Sequence, residues 1–342
     1  MNKVLITGGA GFLGYAVAKR LSEDPACEVV LVDNLFRGRV DADFEVLLKR
    51  KNVRFIEGDL TMLVTFATLP TDFNYVYHFA AVVGVKNVIE QPDRTLLVNA
   101  LSTLYLYEYL KNCGALRRVI FSSTSEVYAG TLKHFGVPVP TPEVVPLCLD
   151  DISSSRSTYA LSKMYGESVA LNYERRHHVP STIVRYHNIY GPRMGVLHVI
   201  PEMMHKICSH NVIDVASPSH TRAFCYVDDA VEATLLLATQ AAACGEIFHV
   251  GNPYEEICIR DLVHGMAKIL GKQCELCEGQ NAPGSPQRRC PDISKLVRLT
   301  GFHPKVKLDE GLRRTCAWYA QQHDSVMADR PLIQRSKCQE QQ

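Results

Sequence analysis

The sequence predicts an α/β fold whose parallel sheet carries helices on both faces. In the first half of the chain, short runs rich in β-branched residues alternate with longer segments of helical period. This alternation is typical of parallel strands joined by crossover helices. A glycine-rich turn also follows the first run and opens the first helical segment. Together these observations predict a doubly wound parallel sheet with a smaller C-terminal α/β domain.

Six predicted strands follow one another along the first part of the chain. They are KVLIT (3–7), EVVLVD (28–33), VRFIEG (53–58), YVYHFAA (75–81), RVIFSS (118–123) and STIVRYHN (181–188). The predicted helices between them include GYAVAKRLSED (14–24), RTLLVNALSTLYLYEYLKNCG (94–114) and STYALSKMYGESVALNYERRH (157–177). Since strand–helix–strand crossovers are right-handed, we expect these strands to join one sheet.

The regular alternation ends at Gly191, where prolines begin to divide the chain into short pieces. Residues 191–221 and 251–322 are predicted to form the smaller domain. Between them, at about 222–250, VDDAVEATLLLATQ and EIFHVG look like a helix and a strand that return to the main sheet. The first domain is thus predicted to comprise residues 1–190 and this return segment, while the polar residues 323–342 are predicted to be a flexible tail.

The composition excludes several classes of function. Lys plus Arg total 37 and Asp plus Glu total 36, so the chain lacks the positive field that attracts nucleic acid or an anionic membrane. No apolar run reaches the roughly 20 residues that span a bilayer, and no signal-peptide stretch is present, so we expect a cytoplasmic protein. The 12 scattered cysteines favour reduced thiols. CELC (274–277) lacks a second ligand pair, so we expect no metal.

The turn TGGAGFLG gives Gly8, Gly11 and Gly14 the spacing G-x-x-G-x-x-G between a strand and a helix. Glycines there permit a tight turn, close approach of a pyrophosphate and close helix packing, while the helix N-terminus offers free N–H groups. A glycine pattern alone is a weak signal. Its place between a strand and a helix, at the start of a βαβ series, makes a dinucleotide site the favoured interpretation.

Asp33 ends the second predicted strand, where its carboxylate can accept hydrogen bonds from the adenosine ribose hydroxyls and repels a 2′-phosphate. NAD is therefore the predicted cofactor. Arg37 and Arg39 leave NADP open, because a nearby arginine can receive the extra phosphate. Asp59, at the end of the third strand, is predicted either to bind the adenine amino group or to cap the helix that follows.

Tyr159 and Lys163 lie four residues apart in YALSK, and hence on one face of a long predicted helix. An ammonium group beside a phenol stabilises the phenolate and lowers the pKa of the tyrosine toward neutrality. Such a tyrosine can act as a general base that takes a hydroxyl proton while a hydride leaves the same carbon. The hydroxyl-rich SSTS (122–125) at a strand end, between the glycine turn and this pair, makes a chance match improbable.

In this order, the motifs resemble those of the extended short-chain dehydrogenase/reductases, in the branch that modifies nucleotide sugars. The resemblance covers roughly residues 3–319 and rests on TGGAGFLG, VDNL, GDL, HFAA, SSTSEVYAG, YALSK, RYHNIYGPR, TRAFCYVDD and PQRRCPDISK. It implies a Rossmann domain that binds NAD and a smaller domain that binds the nucleotide-sugar substrate. It also implies a homodimer in which two long helices of each subunit pair.

The resemblance assigns roles to individual residues. Thr124 would align the sugar 4-hydroxyl, Tyr159 would remove its proton, and Lys163 would hold the nicotinamide ribose while C4 becomes a ketone. The cofactor-binding residues that it implies, besides Tyr159 and Lys163, are Gly8, Gly11, Phe12, Leu13, Gly14, Asp33, Asn34, Asp59, Leu60, Ala80, Ala81 and Asn99.

The resemblance also reaches the second half of the chain. Asn188 and Arg222 would hold the substrate diphosphate, and an arginine of QRRC, Arg289 in preference to Arg288, would reach the sugar. A guanidinium suits this role because it binds two phosphate or carboxylate oxygens at once. A surface salt bridge is the alternative for Arg222 and for at least one residue of the Arg288–Arg289 pair.

Glu126, in SSTSEVYAG, discriminates among the reactions of this branch. Simple 4-epimerases usually have a small or hydroxyl residue in its place, and glucose-type 4,6-dehydratases have an Asp-Glu pair, of which Ser125 here removes the Asp. The Ser-Glu pair resembles UDP-glucuronate decarboxylases. By that resemblance, the C4 ketone makes the substrate a β-keto acid that loses carbon dioxide. Glu126 would orient or protonate the ring, and Arg289 would act at C5 or on the carboxylate.

Other reactions stay open on the sequence. GPRMGVLHVIP lacks an insertion typical of decarboxylases that make UDP-xylose, and HFAAVVGVKN differs from their usual loop. A mannose-type 4,6-dehydratase also has a TSE arrangement, and a 4-epimerase or 4-dehydrogenase of a less common nucleotide sugar comes third. A non-catalytic NAD-binding regulator is the alternative from another class. Intact Thr124, Tyr159 and Lys163 argue against it.

Overall fold

A computed structural model of the chain describes residues 2–196, 198–280 and 285–321. Its strands, in chain order, are β1 (Asn2–Thr7), β2 (Cys27–Asp33), β3 (Val53–Glu57), β4 (Tyr75–His78), β5 (Arg118–Thr124), β6 (Ser181–Tyr186), β7 (Ile189–Tyr190), β8 (Val212–Ala216), β9 (Thr221–Ala223), β10 (Cys225–Tyr226), β11 (Ile247–Val250), β12 (Glu256–Cys258), β13 (Glu275–Gly279) and β14 (Arg288–Arg289). Seven of them form one parallel sheet in the order β11-β6-β5-β4-β1-β2-β3. The predicted strands of the first half and the returning strand all lie in it, so the predicted fold class is confirmed.

Helices connect the strands and cover both faces of the sheet. They are α1 (Phe12–Leu21), α2 (Ala42–Leu48), α3 (Leu63–Ala67), α4 (Val85–Glu90), α5 (Pro92–Leu110), α6 (Ala129–His134), α7 (Ser157–His177), α8 (Val199–Ser209), α9 (Val227–Thr239), α10 (Ile259–Ile269), α11 (Ser294–Thr300) and α12 (Leu308–Gln321). On one face α1 contacts α9, and on the other α5 contacts α7.

Alternate residues of each central strand enter two separate hydrophobic clusters, one on each face of the sheet. Val4 and Ile6 of β1 pack in the cluster that contains Val17 of α1, whereas Leu5 packs in the cluster that contains Leu106 of α5. A parallel strand covered on both faces needs apolar residues at successive positions. This requirement explains why the first strand is the continuous apolar run VLI.

The strand order reverses between β1 and β4, so the crossovers leave the sheet in opposite directions at that point. In open α/β sheets, a crevice for ligands forms there, at the carboxyl ends of the strands. Gly8 follows β1, Asp33 ends β2 and Thr124 ends β5. The residues that the sequence singled out therefore lie along this edge of the sheet.

Smaller sheets follow β6. β7 pairs with β10, β9 lies between β12 and β14, and β8 pairs with β13. α8, α10 and α12 contact one another, and their buried side chains join the same hydrophobic cluster as α1 and α9. The predicted division into two domains stays a prediction, and the predicted tail at residues 323–342 lies outside the described residues.

Three further findings concern the described residues alone. Each cysteine among them is a free thiol. No group of three or more His, Cys, Asp and Glu residues in these ranges is placed to hold a metal ion. None of the helices in this part of the chain is both long and apolar enough to cross a membrane.

The helix α7, which carries Tyr159 and Lys163, lies very close to β5. A Cβ at Gly166 would stand 2.2 Å from Cζ of Phe121, so this separation requires glycine. The next residue, Glu167, accepts hydrogen bonds from Arg185 of β6, at 2.8 Å from Nε and 2.6 Å from Nη2. The Arg185 and Glu167 side chains are almost fully buried. Because both contacts fix α7 against the sheet, they also set the position of the residues at its N-terminal end.

Replacing Gly166 with Ala is expected to lower the free energy of unfolding by about 1–3 kcal/mol, because the new methyl group collides with the Phe121 ring. Gly265→Ala is the matched control, since Gly265 also lies inside a helix, α10, but no atom lies within 4 Å of the position of its Cβ. We expect that variant to be more stable by about 0.5–1 kcal/mol. Denaturant unfolding measures both effects, and equal changes would contradict the close contact.

Candidate active site

A cleft of about 1180 Å³ runs along the carboxyl edge of the main sheet. Most of the residues predicted as functional line this cleft. They are Gly8, Gly11, Phe12, Leu13, Gly14, Asp33, Asn34, Asp59, Leu60, Ala80, Ala81, Thr124, Ser125, Glu126, Tyr159, Lys163, Asn188 and Arg289. Two predicted residues, Asn99 and Arg222, do not line it.

The glycine turn leaves no room for side chains at one end of the cleft. Gly8 has φ +71°, and a Cβ there would lie 2.7 Å from the backbone nitrogen of Ala80. A Cβ at Gly14 would lie 2.1 Å from the carbonyl oxygen of Gly8. Gly11 is the residue before α1, and it has no side chain that could cap the first N–H groups of this helix. Unblocked N–H groups and a positive helix dipole suit a pyrophosphate, so the turn fits the dinucleotide NAD.

Asp33 is held at the rim of the cleft by the backbone. Its Oδ2 accepts a hydrogen bond from the backbone nitrogen of Ala10 at 3.1 Å, and its Oδ1 accepts one from Leu35 at 2.8 Å. Burial raises the pKa of the Asp33 carboxyl, and these hydrogen bonds oppose that rise. Because a carboxylate offers about four lone-pair sites, acceptors remain for the ribose hydroxyls.

Asp59 does not cap α3, which begins at Leu63 after Met62. Instead, its Oδ1 accepts hydrogen bonds from the nitrogen and the hydroxyl of Thr61 at 2.8 and 2.7 Å, and its Oδ2 accepts one from Asn34 at 3.1 Å. Burial acts to raise the pKa of Asp59, but these hydrogen bonds prevail and lower it. The capping alternative is therefore wrong, and the contact with adenine stays a prediction.

Asn99 is buried below the cleft, and its side-chain amide is fully engaged. Its Oδ1 accepts a hydrogen bond from the backbone nitrogen of Val82 at 2.7 Å. Its Nδ2 donates to the carbonyl oxygen of Val82 at 3.1 Å and to the hydroxyl of Ser162 at 3.0 Å. Asn99 thus holds the segment that follows Ala80 and Ala81 and ties it to α7. Direct contact of Asn99 with the cofactor stays a prediction.

Tyr159 and Lys163 lie on one face of α7, with Nζ of Lys163 6.0 Å from the centre of the Tyr159 ring. The Thr124 side chain lies close enough to the phenol of Tyr159 to act on its pKa. Nζ of Lys163 donates to the carbonyl oxygen of Ser122 in β5 at 2.8 Å. Strand β5 therefore orients both members of the pair, one through a side chain and the other through the backbone.

The pKa of Tyr159 differs from the expectation based on the sequence. Burial raises it and the charge of Glu126 raises it further, while the charge of Arg37 and the Thr124 side chain act in the opposite direction. Burial also lowers the pKa of Lys163 to about 8. The predicted lowering by the ammonium group is therefore wrong, because both groups are desolvated and Lys163 donates to β5.

Glu126 enters the cleft from a short 3-10 turn, Ser125–Tyr128, that follows β5. Its Oε1 accepts a hydrogen bond from Nη1 of Arg289 at 2.6 Å, and the Arg289 side chain is almost fully buried. Burial acts to raise the pKa of Glu126, but the charge of Arg289 and this hydrogen bond prevail and lower it. Arg288 instead lies outside and pairs with Glu256 at 2.8 Å. The structure thus separates the two arginines as predicted.

Arg156 and Arg222 add positive charge near Glu126, and both contribute to lowering its pKa after Arg289. Arg222 donates to the hydroxyl of Ser285 at 2.7 Å and to the carbonyl oxygen of Thr221 at 2.6 Å, so its partners are neutral. Burial lowers the pKa of Arg222 to about 10, and the charge of Arg289 adds to this effect. The predicted diphosphate contact of Arg222 stays a prediction.

Sequence reasoning missed Arg156, and it considered Arg37 only in connection with NADP. Both line the cleft. Arg156 immediately precedes α7 and lies three residues before Tyr159, a spacing that places two side chains on one helical face. That spacing was the available signal for Arg156. The inward direction of Arg37 depends on how its loop folds and has no such signal.

Arg193 joins the two walls of the cleft. Its Nε donates to Oδ2 of Asp41 at 2.8 Å and its Nη2 to the carbonyl oxygen of Arg39 at 3.0 Å. Its guanidinium also lies 4.0 Å from the centre of the Tyr15 ring. The segment that follows Asn188 is thereby bound to the loop that follows β2.

A doubly wound sheet that presents a dinucleotide cradle and a tyrosine–lysine pair to one cleft defines an NAD-dependent Rossmann-fold enzyme. Residues 4–251 match the family described as "NAD dependent epimerase/dehydratase family". The chain belongs to this family.

Two curated relatives extend the similarity over almost the whole chain. The chain is 31% identical to UDP-glucuronic acid decarboxylase 6 of Arabidopsis thaliana over 313 residues, which cover 91% of this chain and 86% of that protein. It is also 31% identical to UDP-N-acetyl-alpha-D-glucosaminuronate decarboxylase of Bacillus cytotoxicus, over 93% of this chain and 98% of that protein.

Among solved structures, UDP-glucuronic acid 4-epimerase of Bacillus cereus, in complex with UDP-glucuronic acid and NAD, superposes with a TM-score of 0.80. It is 27% identical, and the match covers 93% of this chain and 99% of that chain. These comparisons show that the protein is an NAD-dependent nucleotide-sugar enzyme. The alternative of a non-catalytic regulator is not supported.

Replacing Arg289 with Gln is expected to raise the pKa of Glu126 above its ordinary value of about 4.3, because burial is then opposed only by the smaller effects of Arg156 and Arg222. In the wild type the folded-state pKa of Glu126 lies below the unfolded-state value, so its contribution to stability is present above the latter and lost as pH falls. In Arg289→Gln the folded-state pKa of Glu126 is expected to lie above the unfolded-state value. Ionisation of Glu126 then destabilises the folded protein as pH rises. The difference in free energy of unfolding between the two proteins is therefore expected to widen from about pH 4 to about pH 7.

Urea unfolding at several pH values measures this difference. Arg313→Gln is the control, because Arg313 forms an exposed pair with Asp309 within α12 and its loss is expected to have a small effect. A gap between wild type and Arg289→Gln that stays constant across this pH range would show that Glu126 does not depend on Arg289 for its ionised state.

Proposed function

We propose that the protein is a decarboxylase of a nucleoside diphosphate uronic acid, with UDP-glucuronate as the substrate. The reaction begins with oxidation of the sugar at C4. The carboxylate at C6 then leaves as carbon dioxide. A homodimer and a cytoplasmic location, both expected from the sequence, form part of the same proposal.

The observation that carries the proposal is the excess of positive charge at the sugar end of the cleft. Arg156, Arg222 and Arg289 all act on one carboxylate, that of Glu126. Buried charges are tolerated when they are paired. A sugar carboxylate supplies negative charge that a neutral hexose lacks, so this site favours a uronic acid over a hexose.

Each reacting group has a place in this scheme. Tyr159 takes the proton of the sugar 4-hydroxyl, which Thr124, next to the phenol, aligns. Lys163, which donates to the carbonyl oxygen of Ser122, would hold the ribose of the dinucleotide. NAD, held by the glycine turn and Lys163, would supply the hydride acceptor for C4, and its positively charged nicotinamide would favour the phenolate form of Tyr159.

The decarboxylation step follows from the new ketone. With a carbonyl at C4, the substrate is a β-keto acid, so the bond between C5 and C6 breaks and its electron pair forms the enolate of C4 and C5. A proton then returns to C5. Arg289 holds the sugar end of the cleft positive, and Glu126 is the carboxylate that faces C5 in this scheme.

The curated relatives support decarboxylation, because both are named as decarboxylases of UDP-linked uronic acids. Dehydration remains the second candidate, since Glu126 stands where a mannose-type dehydratase has its C5 base. Its paired Arg289 disfavours this role, because a carboxylate held by a guanidinium is a weaker base. A 4-epimerase or 4-dehydrogenase is the third candidate.

Incubation of the protein with NAD and UDP-glucuronate is expected to yield a nucleotide sugar that has lost carbon dioxide, as measured by mass spectrometry. Tyr159→Phe is expected to lower the rate by about 10²-fold or more, because the proton acceptor is removed. A panel of GDP-, UDP- and CDP-hexoses read for loss of water tests dehydration in parallel. Unchanged UDP-glucuronate beside a dehydrated hexose would replace the proposal by the second candidate.

Arg156→Gln is expected to raise KM for UDP-glucuronate about tenfold or more and to leave the affinity for UDP unchanged, because a charge-assisted contact with the sugar carboxylate contributes about 1.5–3 kcal/mol. Arg175→Gln, at the other end of the same helix, is the matched control and is expected to change neither quantity. Steady-state kinetics and calorimetry with UDP provide the two measurements. An equal loss of affinity for UDP would assign Arg156 to the diphosphate instead.

A further inference from the structure

Arg37 is a cation inside the cleft for which the proposed chemistry has no use. It belongs to the loop that follows β2, and its guanidinium crosses the cleft toward the segments on the other side. Its Nη2 lies 2.9 Å from the position that a Cβ would take at Gly195 and 4.0 Å from the corresponding position at Gly84. A larger residue at position 195 would therefore displace this side chain.

The loop is anchored on both sides of Arg37. On the N-terminal side, the guanidinium of Arg94 stacks on the Phe36 ring, 3.8 Å from the centre of that ring. After it, Gly38 packs so closely that a Cβ would lie 2.7 Å from Cβ of Ala10 in the glycine turn. These contacts fix the backbone on either side and leave the Arg37 side chain directed inward.

Arg37 has no anionic partner in the part of the chain that the structure describes. It forms no hydrogen bond or ion pair there, although it is half-buried and lines the cleft beside His198. Burial lowers the pKa of Arg37, and the charged groups that act on it besides are Tyr159 and Arg39, neither of them a carboxylate. A desolvated guanidinium is stable only when paired, so this position calls for an anion from a ligand.

The position of Arg37 also identifies which anion it can meet. The backbone beside Arg37 lies at the adenosine end, because a Cβ at Gly38 would stand 2.8 Å from Oδ1 of Asp33, whereas the guanidinium interacts with Tyr159 at the reacting end. The guanidinium thus lies between the two ends of a dinucleotide. Its loop packs on Ala10, within the turn that opens α1 and its free N–H groups. The part of NAD between its two riboses is the pyrophosphate.

We propose that Arg37 binds the pyrophosphate of the dinucleotide and holds it from the side opposite the N-terminus of α1. The planar guanidinium offers a fork of donors that suits two phosphate oxygens at once. The 2′-phosphate of NADP, which the sequence left open as a partner, would instead meet the carboxylate of Asp33, which repels it.

Binding measurements on the full-length chain, freed of bound nucleotide, test the proposal with ADP-ribose, NAD, NADP and UDP as probes. Arg37→Gln is expected to weaken ADP-ribose and NAD about tenfold or more, as the loss of a charge-assisted contact predicts. UDP affinity and the ratio of NAD to NADP affinity are expected to stay within about twofold. Arg37→Lys, which keeps the charge without the fork, is expected to fall between wild type and Arg37→Gln.

Lys86→Gln is the matched control, because Lys86 lies in α4 next to the same segment but pairs outside with Glu90. It is expected to bind every probe as the wild type does. If Arg37→Gln lost affinity for UDP alone, the proposal would be overturned and Arg37 would be assigned to the diphosphate of the nucleotide sugar. If it lost affinity for NADP alone, Arg37 would be assigned to the 2′-phosphate. Unchanged affinities, or equal losses for ADP-ribose and UDP, would also overturn it. None of these readouts depends on which sugar reaction the protein catalyses.

Discussion

The contact between α7 and β5 is the constraint on which the active site depends. Gly166 allows the helix to approach Phe121 so closely that no larger residue fits, and the Glu167–Arg185 pair fixes the helix at that distance. Thr124, which lies next to Tyr159, and Ser122, which binds Lys163, both belong to β5. The geometry of the reacting groups is therefore set by packing inside the core and does not rely on the mobility of a surface loop.

Burial governs the ionisation of the reacting groups in the cleft. Burial raises the pKa of Tyr159 and lowers that of Lys163, so each group is displaced toward its neutral form. At the same time arginines outnumber carboxylates at the sugar end. Desolvation strengthens every interaction with an incoming charge because the effective dielectric constant is low. A cofactor and an anionic substrate therefore restore the balance that the protein alone lacks, and the energy of binding is available for catalysis.

The sequence predicted the sheet well because its signals are local. Strand periodicity, the glycine turn and the Y-x-x-x-K spacing are all readable within short windows, and the structure places them where expected. The ionisation of Tyr159 was predicted wrongly, since it depends on burial and on Glu126, which no spacing reveals. The inward direction of the Arg37 side chain was not predicted, for the same reason. The path of its side chain is decided by Gly195 and Gly84, which are remote in sequence.

Arg193 has a consequence for the way the two ligands influence each other. Arg193 binds Asp41 and the carbonyl oxygen of Arg39. It therefore holds the loop that follows β2 against the segment that follows Asn188. If a ligand displaces one of these two segments, the other segment is expected to move with it. We therefore expect occupancy of the two halves of the cleft to be thermodynamically linked, and such a linkage acts equally in both directions.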